Sequence, residues 1–125
     1  MIVQTKNAPA PIGPYSQAVW AGNTLFASGQ IAINPESGEL VMDSLEAETH
    51  QVMKNIGALL EAAGLTFAHV VKTSIFLSDM NNFGKVNNIY GSYFESNFPA
   101  RETVEVAGLP KGVNVEISIT AYKPE

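Results

Sequence analysis

The run Pro99-Ala100-Arg101-Glu102-Thr103-Val104-Glu105-Val106-Ala107-Gly108 carries the most legible chemistry in this chain. In an extended segment alternate side chains share a face, so Arg101, Thr103 and Glu105 stand on one side and Glu102, Val104 and Val106 on the other. An arginine beside a hydroxyl outlines a carboxylate site, because the guanidinium offers a rigid fork of donors that matches two oxygens at once. The same residues also fit a rim arginine paired with Glu102 or Glu105, a common surface arrangement that contributes little energy. Taken alone, the segment supports both readings equally.

Glu116 stands on the polar side of an alternating run and is the second candidate. The short turn at residues 109–112 predicts that its strand pairs with the Arg101 strand. A carboxylate held near an arginine can orient or deprotonate water while the arginine grips an anion; singly, Glu116 fits a solvent-facing residue better. Tyr15, after Gly13-Pro14, offers a phenol to a pocket or an amphipathic packing surface. Ser28-Gly29-Gln30 offers a hydroxyl and close backbone approach, or simply a turn. Asn87 and Asn88 interrupt a helical pattern that favours better helix formers, which marks at least one of them for a site or an interface. His50, His69 and Trp20 read as surface or packing residues.

The elements that must position these groups are legible from pattern. Three prolines and a glycine make residues 7–14 a loop. Residues 15–21 and 24–28 flank Gly22-Asn23, a two-residue hairpin signal. Asn34-Pro35-Glu36-Ser37-Gly38 forms a further turn before Glu39-Leu40-Val41. Asp43 and Glu46 make a capping-box pattern, and Val52, Ile56, Leu59, Leu60 and Ala63 recur at helical spacing up to Gly64, predicting a helix over about 44–63. After a short turn at 66–69, the β-branched run 70–77 reads as a strand. A second helix opens at 79–82 and carries Phe83, Val86, Tyr90, Tyr93 and Phe94 on one stripe, with Pro99 as its outer limit. The last strand, 113–122, alternates with Val113, Val115, Ile117, Ile119 and Ala121 on one face.

This order predicts an α+β fold in which two helices cover one face of a single sheet. Phe26, Ile31 and Ile33 are then left needing cover on the other face, for which self-association is the economical solution. A chain of 125 residues fits one domain, 1–125, with one sizeable core. The net charge of −5, with only seven lysines and arginines scattered along the chain, argues against nucleic-acid binding. The absence of cysteine excludes disulfides and thiolate chemistry, and two histidines nineteen positions apart share no ligand spacing, so no metal or other cofactor is expected. The opening residues lack an apolar run and no window approaches the ~18 apolar residues of a membrane span, so the chain is read as soluble and cytoplasmic, with no membrane partner.

Read together, the motifs resemble the RidA (YjgF) family of reactive-intermediate deaminases along essentially the whole chain. The resemblance runs through Ala10-Pro11-Ile12-Gly13-Pro14-Tyr15-Ser16-Gln17-Ala18, Ser28-Gly29-Gln30-Ile31, Val71-Lys72-Thr73, Phe76-Leu77-Ser78-Asp79-Met80 and Asn87-Asn88-Ile89-Tyr90. It continues through Phe98-Pro99 and the arginine segment to Leu109-Pro110-Lys111 and Val115-Glu116-Ile117. It implies a chorismate-mutase-like α+β fold assembled as a homotrimer with sites in the clefts between subunits. It also implies that Arg101 binds a substrate carboxylate and that Tyr15, Ser28, Gly29, Asn87 and Glu116 line the pocket. Thr103 occupies a position where relatives often carry cysteine, Glu102 one where many have a small residue, and Gly108 one where many have arginine.

The activity implied is cofactor-independent hydrolysis of 2-iminobutanoate and 2-iminopropanoate, released by pyridoxal-phosphate dehydratases, to 2-oxo acids and ammonia, with Arg101 as the clamp and Glu116 as the water-activating group. An alternative from another class is a trimeric module that binds or senses small 2-oxo or 2-imino acids without turnover. An endoribonuclease or translation inhibitor ranks last, given the acidic charge.

Overall fold

The computed structural model describes residues 1–125. Six strands form one sheet: β1 (Ile2–Val3), β2 (Ala18–Ala21), β3 (Thr24–Ala27), β4 (Val70–Leu77), β5 (Ala100–Glu105) and β6 (Val115–Tyr122). The helices are α1 (Leu45–Ala62) and α2 (Phe83–Gly91). Strand order is β1-β2-β3-β6-β4-β5, with β5 parallel to β4 and all other pairs antiparallel.

The hairpin forms at Gly22-Asn23, with Gly22 in the left-handed region that a tight turn requires. Its first strand is shorter than its alternation implies. Tyr15, Ser16 and Gln17 stay outside the sheet, because the Tyr15 N–H turns back to the Gly13 carbonyl and the Gln17 amide serves the loop. The N-terminus adds a two-residue edge strand that its composition does not announce.

Helix α1 starts one residue later than the capping-box pattern places it. Ser44, rather than Asp43, is the cap, its Oγ accepting from the Ala47 N–H at 3.0 Å. The second helix is split: Asp79 caps a 3-10 turn over Met80–Asn82, and α2 follows. Tyr93 and Phe94 lie beyond the end of α2 yet join Phe67, Tyr90 and Phe98 in an aromatic cluster, so their stripe reflects packing after the helix has ended.

Both helices lie on one face of the sheet. Val52, Met53, Ile56 and Leu60 of α1 and Val86 and Tyr90 of α2 pack with Ile75, Leu77, Val115, Ile117 and Ile119. The alternation of β6 is reproduced from Val115 onward, and Val113 joins Ile31 and Ile33 in a second small cluster. Ile31 and Ile33 are therefore covered within the chain, contrary to the expectation that they need outside cover. Phe26 is half exposed on the other face, together with Val19, Val104 and Tyr122.

One sequence expectation about the sheet fails. The turn at Pro110–Gly112 does not join neighbouring strands, and β5 pairs with β4 instead of β6. The reason is the crossover: β4, α2 and β5 make a parallel unit that places β5 against one edge of β4, while β6 takes the other edge antiparallel. Residues 106–114 carry the chain past the end of β4, using left-handed backbone at Lys111 and Gly112.

Candidate functional site

The register settles which groups share a face. Arg101 lies opposite Thr73 and Thr73 opposite Ile119, so Arg101 points to the helix side of the sheet. Glu116 lies opposite Phe76 and Phe76 opposite Val104, so Glu116 points to the side without helices. Within one chain, the arginine and the carboxylate therefore stand on opposite faces with β4 between their strands. The expected juxtaposition of Arg101 and Glu116 in one chain is overturned by the crossover.

Arg101 is the centre of the first cluster. Its Nη1 donates to Asn87 Oδ1 at 2.7 Å, so the asparagine that disrupts the helical pattern has a polar role. Its guanidinium carbon lies 5.5 Å from the Phe83 ring centroid and 5.3 Å from that of Tyr90. The Tyr90 hydroxyl donates to Thr73 Oγ1 at 3.0 Å, and burial pushes its phenol up, which keeps the ring neutral beside the cation. The rim ion pair weighed against an anion site does not form. Glu102 is held by Lys72 at 2.9 Å and by Ser74 on the opposite face, and Glu105 accepts from the Met80 N–H. Arg101 thus has no carboxylate partner and borders a cleft of about 450 Å³ with Asn87, Tyr90, Gly91, Phe98 and Pro99.

Thr103 shares the Arg101 face, as strand alternation requires. Its Oγ1 is buried with no hydrogen-bond partner. A buried polar atom left unpaired costs on the order of 1–3 kcal/mol. Thr103→Val, close in shape, is expected to raise the melting temperature of the ligand-free protein by a few degrees, and scanning calorimetry checks this; a lower value would mean that the hydroxyl is already paired.

Glu116 is the centre of the second cluster. Its carboxylate lies over the backbone of Gly29, held there because the Gln30 and Ile117 backbones exchange hydrogen bonds at 2.8 and 3.1 Å. A Cβ on Gly29 would sit 2.9 Å from the Glu116 carboxyl carbon and closer still to Oε2. Half-burial pushes the Glu116 carboxyl up from its ordinary value, and no cation offsets this. Gly29→Ala is expected to fold normally while driving the carboxylate into solvent. Carbon-detected NMR titration should then show the Glu116 midpoint falling to the ordinary carboxylate range, and an unmoved midpoint would contradict this packing.

The other expected lining residues divide unevenly. Tyr15 borders the same small cavity as Gly29 and Glu116, and its hydroxyl accepts from the Ile12 N–H at 3.1 Å. Ser28 Oγ donates to the Ser16 carbonyl at 2.6 Å and is thereby committed to holding the loop. Asn88 lies beside Asn87 but makes no side-chain bond to Arg101. Two glutamines are buried: Gln30, part of the Ser28-Gly29-Gln30 triplet, and Gln17, to which the sequence pattern assigns no role. The Gln17 amide donates to the carbonyls of Thr5, Ala8 and Pro9 and accepts from the Thr5 N–H, fixing the loop that carries Tyr15. Gln30 Nε2 donates to the Ser28 carbonyl.

The fold and these two clusters define a class: an α+β protein with a small-molecule cleft bordered by an unpaired guanidinium, and a desolvated carboxylate on the reverse of the same sheet. The chain belongs to the RidA (YjgF) family, whose model, described as Endoribonuclease L-PSP, matches residues 5–123. A RutC family protein of Pyrococcus horikoshii is 52% identical over 122 residues, spanning 98% of this chain and 97% of its own. The human 2-iminobutanoate/2-iminopropanoate deaminase is 50% identical over 122 residues, 98% of this chain and 89% of its own. Among solved structures, YyfA of the Rid family from Yersinia pestis superposes with a TM-score of 0.96 at 52% identity, covering 98% of both chains. Escherichia coli TdcF with bound serine superposes at 0.95 with 35% identity, covering 99% of both. No helix is long and apolar enough to cross a membrane.

Proposed function

We propose that this chain, as a single domain over 1–125, is a cofactor-independent deaminase that hydrolyses 2-imino acids such as 2-iminobutanoate and 2-iminopropanoate to 2-oxo acids and ammonia. The observation that carries this reading is the Arg101 guanidinium, oriented by Asn87, flanked by two rings and lacking any carboxylate partner at a cleft of about 450 Å³, which admits a small acid. The naming of mammalian relatives at about 50% identity as imine deaminases supports it, and serine bound to TdcF supports a small amino-acid-like ligand.

In this reading Arg101 binds the substrate carboxylate through two parallel hydrogen bonds, while Thr103, on the same face but with its hydroxyl buried, lies outside the cleft lining. Glu116, desolvated against Gly29, takes a proton from water as the water oxygen attacks the imine carbon. That proton passes to the nitrogen to give the neutral tetrahedral amino-alcohol, which then collapses: Glu116 takes the hydroxyl proton as the carbonyl forms and relays it to nitrogen, and the C–N bond breaks to release ammonia. Positioning supplies most of the gain, because imines are already electrophilic.

Since Arg101 and Glu116 face opposite sides of the sheet in one chain, the reaction requires a second copy. A homotrimer in which the helix-free face of one sheet meets the cleft of its neighbour would bring the Tyr15–Gly29–Glu116 cluster of one copy to the Arg101 cluster of the next. The half-exposed Val19, Phe26, Val104 and Tyr122 on that face support association. The same separation favours a second reading, a trimer that only binds 2-oxo acids, since the Arg101 half alone suffices for that. A ribonuclease fits less well with the net charge of −5 and with histidines that border neither cluster.

The test couples a serine or threonine dehydratase to this protein in the presence of a nucleophile that traps free imine. Faster 2-oxo acid formation is the expected result. Binding of 2-oxobutanoate without acceleration would replace the enzyme by the sensor.

A further inference from the structure

Helix α1 buries three polar side chains: Thr49, whose hydroxyl donates back to the Leu45 carbonyl of its own helix, and Glu48 and Asn55, which stand seven residues apart, hence on one face about two turns from each other. Glu48 is fully buried, makes no ion pair, and accepts from the Asn114 N–H at 2.8 Å, the Asn114 side-chain amide at 2.8 Å and the Val115 N–H at 3.2 Å. Asn55 is also buried. Its Nδ2 donates to the carbonyls of Ile31 and Ile33 at 3.1 and 3.0 Å, while its Oδ1 accepts from Gln51 Nε2 at 2.9 Å, which fixes the amide's orientation.

The segments so held are those on which the Glu116–Gly29 contact depends. Asn114 and Val115 immediately precede Glu116, and Ile31 follows Gly29 and Gln30. The backbone exchange between Gln30 and Ile117 joins the two segments, the ladder to Leu77 and Phe76 of β4 holds Val115 and Glu116 from one edge, and the helix side of each segment is left for side chains of α1 to bind. Glu48 and Asn55 supply those helix-side bonds. Residues chosen only to fill this helix–sheet layer would be apolar, as Val52, Met53, Ile56, Leu59 and Leu60 are on the same helix.

We propose that Glu48 and Asn55 are positioning residues: from one face of α1 they clamp the two backbone segments that carry Glu116 and Gly29, and so set where the reactive carboxylate stands. This rests on the reading of Glu116 as the water-activating group. Glu116 meets few other charges that would set its behaviour. Tyr15 is the titratable side chain bordering its cavity, β4 presents Phe76 opposite it, and Lys72 and Glu102 lie farther along the same sheet face.

The test compares Glu48→Ala, Asn55→Ser and the conservative Glu48→Gln by steady-state kinetics in the dehydratase-coupled assay and by NMR titration of the Glu116 carboxyl without substrate. A displacement of the order of an ångström at a reacting group lowers turnover by roughly 10- to 100-fold. Glu48→Ala and Asn55→Ser are expected to lose kcat to that extent with KM unchanged, because neither side chain contacts Arg101, which is oriented by Asn87, or the strand that carries it. Their Glu116 midpoint should fall toward the ordinary carboxylate value. Glu48→Gln keeps an acceptor oxygen for the strand N–H groups and should restore most of both. An unchanged Glu116 titration in folded Glu48→Ala and Asn55→Ser would overturn the clamp, as would kcat and KM changing together. Should Glu48→Ala not fold, Asn55→Ser and Glu48→Gln carry the same comparison. Turnover retained by Glu116→Gln would instead remove the catalytic reading and leave the titration result to decide the clamp alone.

Discussion

Arg101→Ala is expected to lower kcat/KM for 2-iminobutanoate more than ~100-fold and to abolish measurable binding of 2-oxobutanoate. Two charge-assisted hydrogen bonds at about 1.5–3 kcal/mol each give at least ~3 kcal/mol, and each 1.4 kcal/mol is a factor of ten. The loss falls on binding and on turnover together, since the carboxylate clamp also fixes the imine carbon before attack. Stability should change little, because Arg101 forms no ion pair and only one side-chain hydrogen bond. Arg101→Lys keeps the charge but not the fork and is expected to recover only part of the activity. Isothermal titration with 2-oxobutanoate, alongside the coupled assay, checks both halves. Undiminished affinity in Arg101→Ala would place the ligand elsewhere.

The second large effect belongs to Glu116. Glu116→Gln preserves size and packing against Gly29 but removes proton transfer, and the loss of a positioned base lowers turnover by ~10²–10⁴-fold. Affinity for 2-oxobutanoate should persist, because the clamp is on the other cluster; equal loss of binding and turnover would contradict the assigned role. The pH dependence carries the same signature. Burial raises the Glu116 carboxyl above its ordinary value, so the active carboxylate form, and with it kcat, should be lost as pH falls through a midpoint higher than that of an exposed glutamate. Stability runs the opposite way. A carboxyl with a raised folded-state pKa binds more protons folded than unfolded, so its stabilising contribution is full below the unfolded value and is lost as pH rises through the folded one. Glu116→Gln should abolish this dependence, and denaturant melts at several pH values would detect it. An activity profile with the midpoint of an ordinary carboxylate would indicate a well-solvated Glu116.

Much of the architecture is written locally. The Gly22-Asn23 hairpin, the long helix ending at Gly64, the β-branched strand over 70–77 and the alternation of β6 each follow from short-range rules, because turn geometry, capping and side-chain periodicity act within a few residues. Local rules also imply that Arg101 and Thr103 share a face and that Asn87 does more than extend a helix. Where local signals compete, boundaries slip. Ser44 displaces Asp43 as the cap because it is the residue whose Oγ reaches the Ala47 N–H, and Tyr93 and Phe94 continue an aromatic stripe beyond the end of α2 because their rings pack with Phe67.

The arrangement of the site is a different matter. Sequence alone determined the chemical parts of this protein: an arginine with a neighbouring hydroxyl, a carboxylate on an amphipathic strand and a glycine that admits close approach. The tertiary structure adds that β4 stands between Arg101 and Glu116, that the two face opposite sides, that Gly29 lies against Glu116 and that Glu48 reaches Asn114 and Val115, each from a segment distant in the chain. The physical reason is that side-chain periodicity is fixed by the backbone of one strand, whereas strand order is fixed by which edges remain for pairing once the helices have packed on the sheet. A parallel β–α–β connection and a nine-residue passage past a strand end leave no short-range trace in the residues they bring together or hold apart.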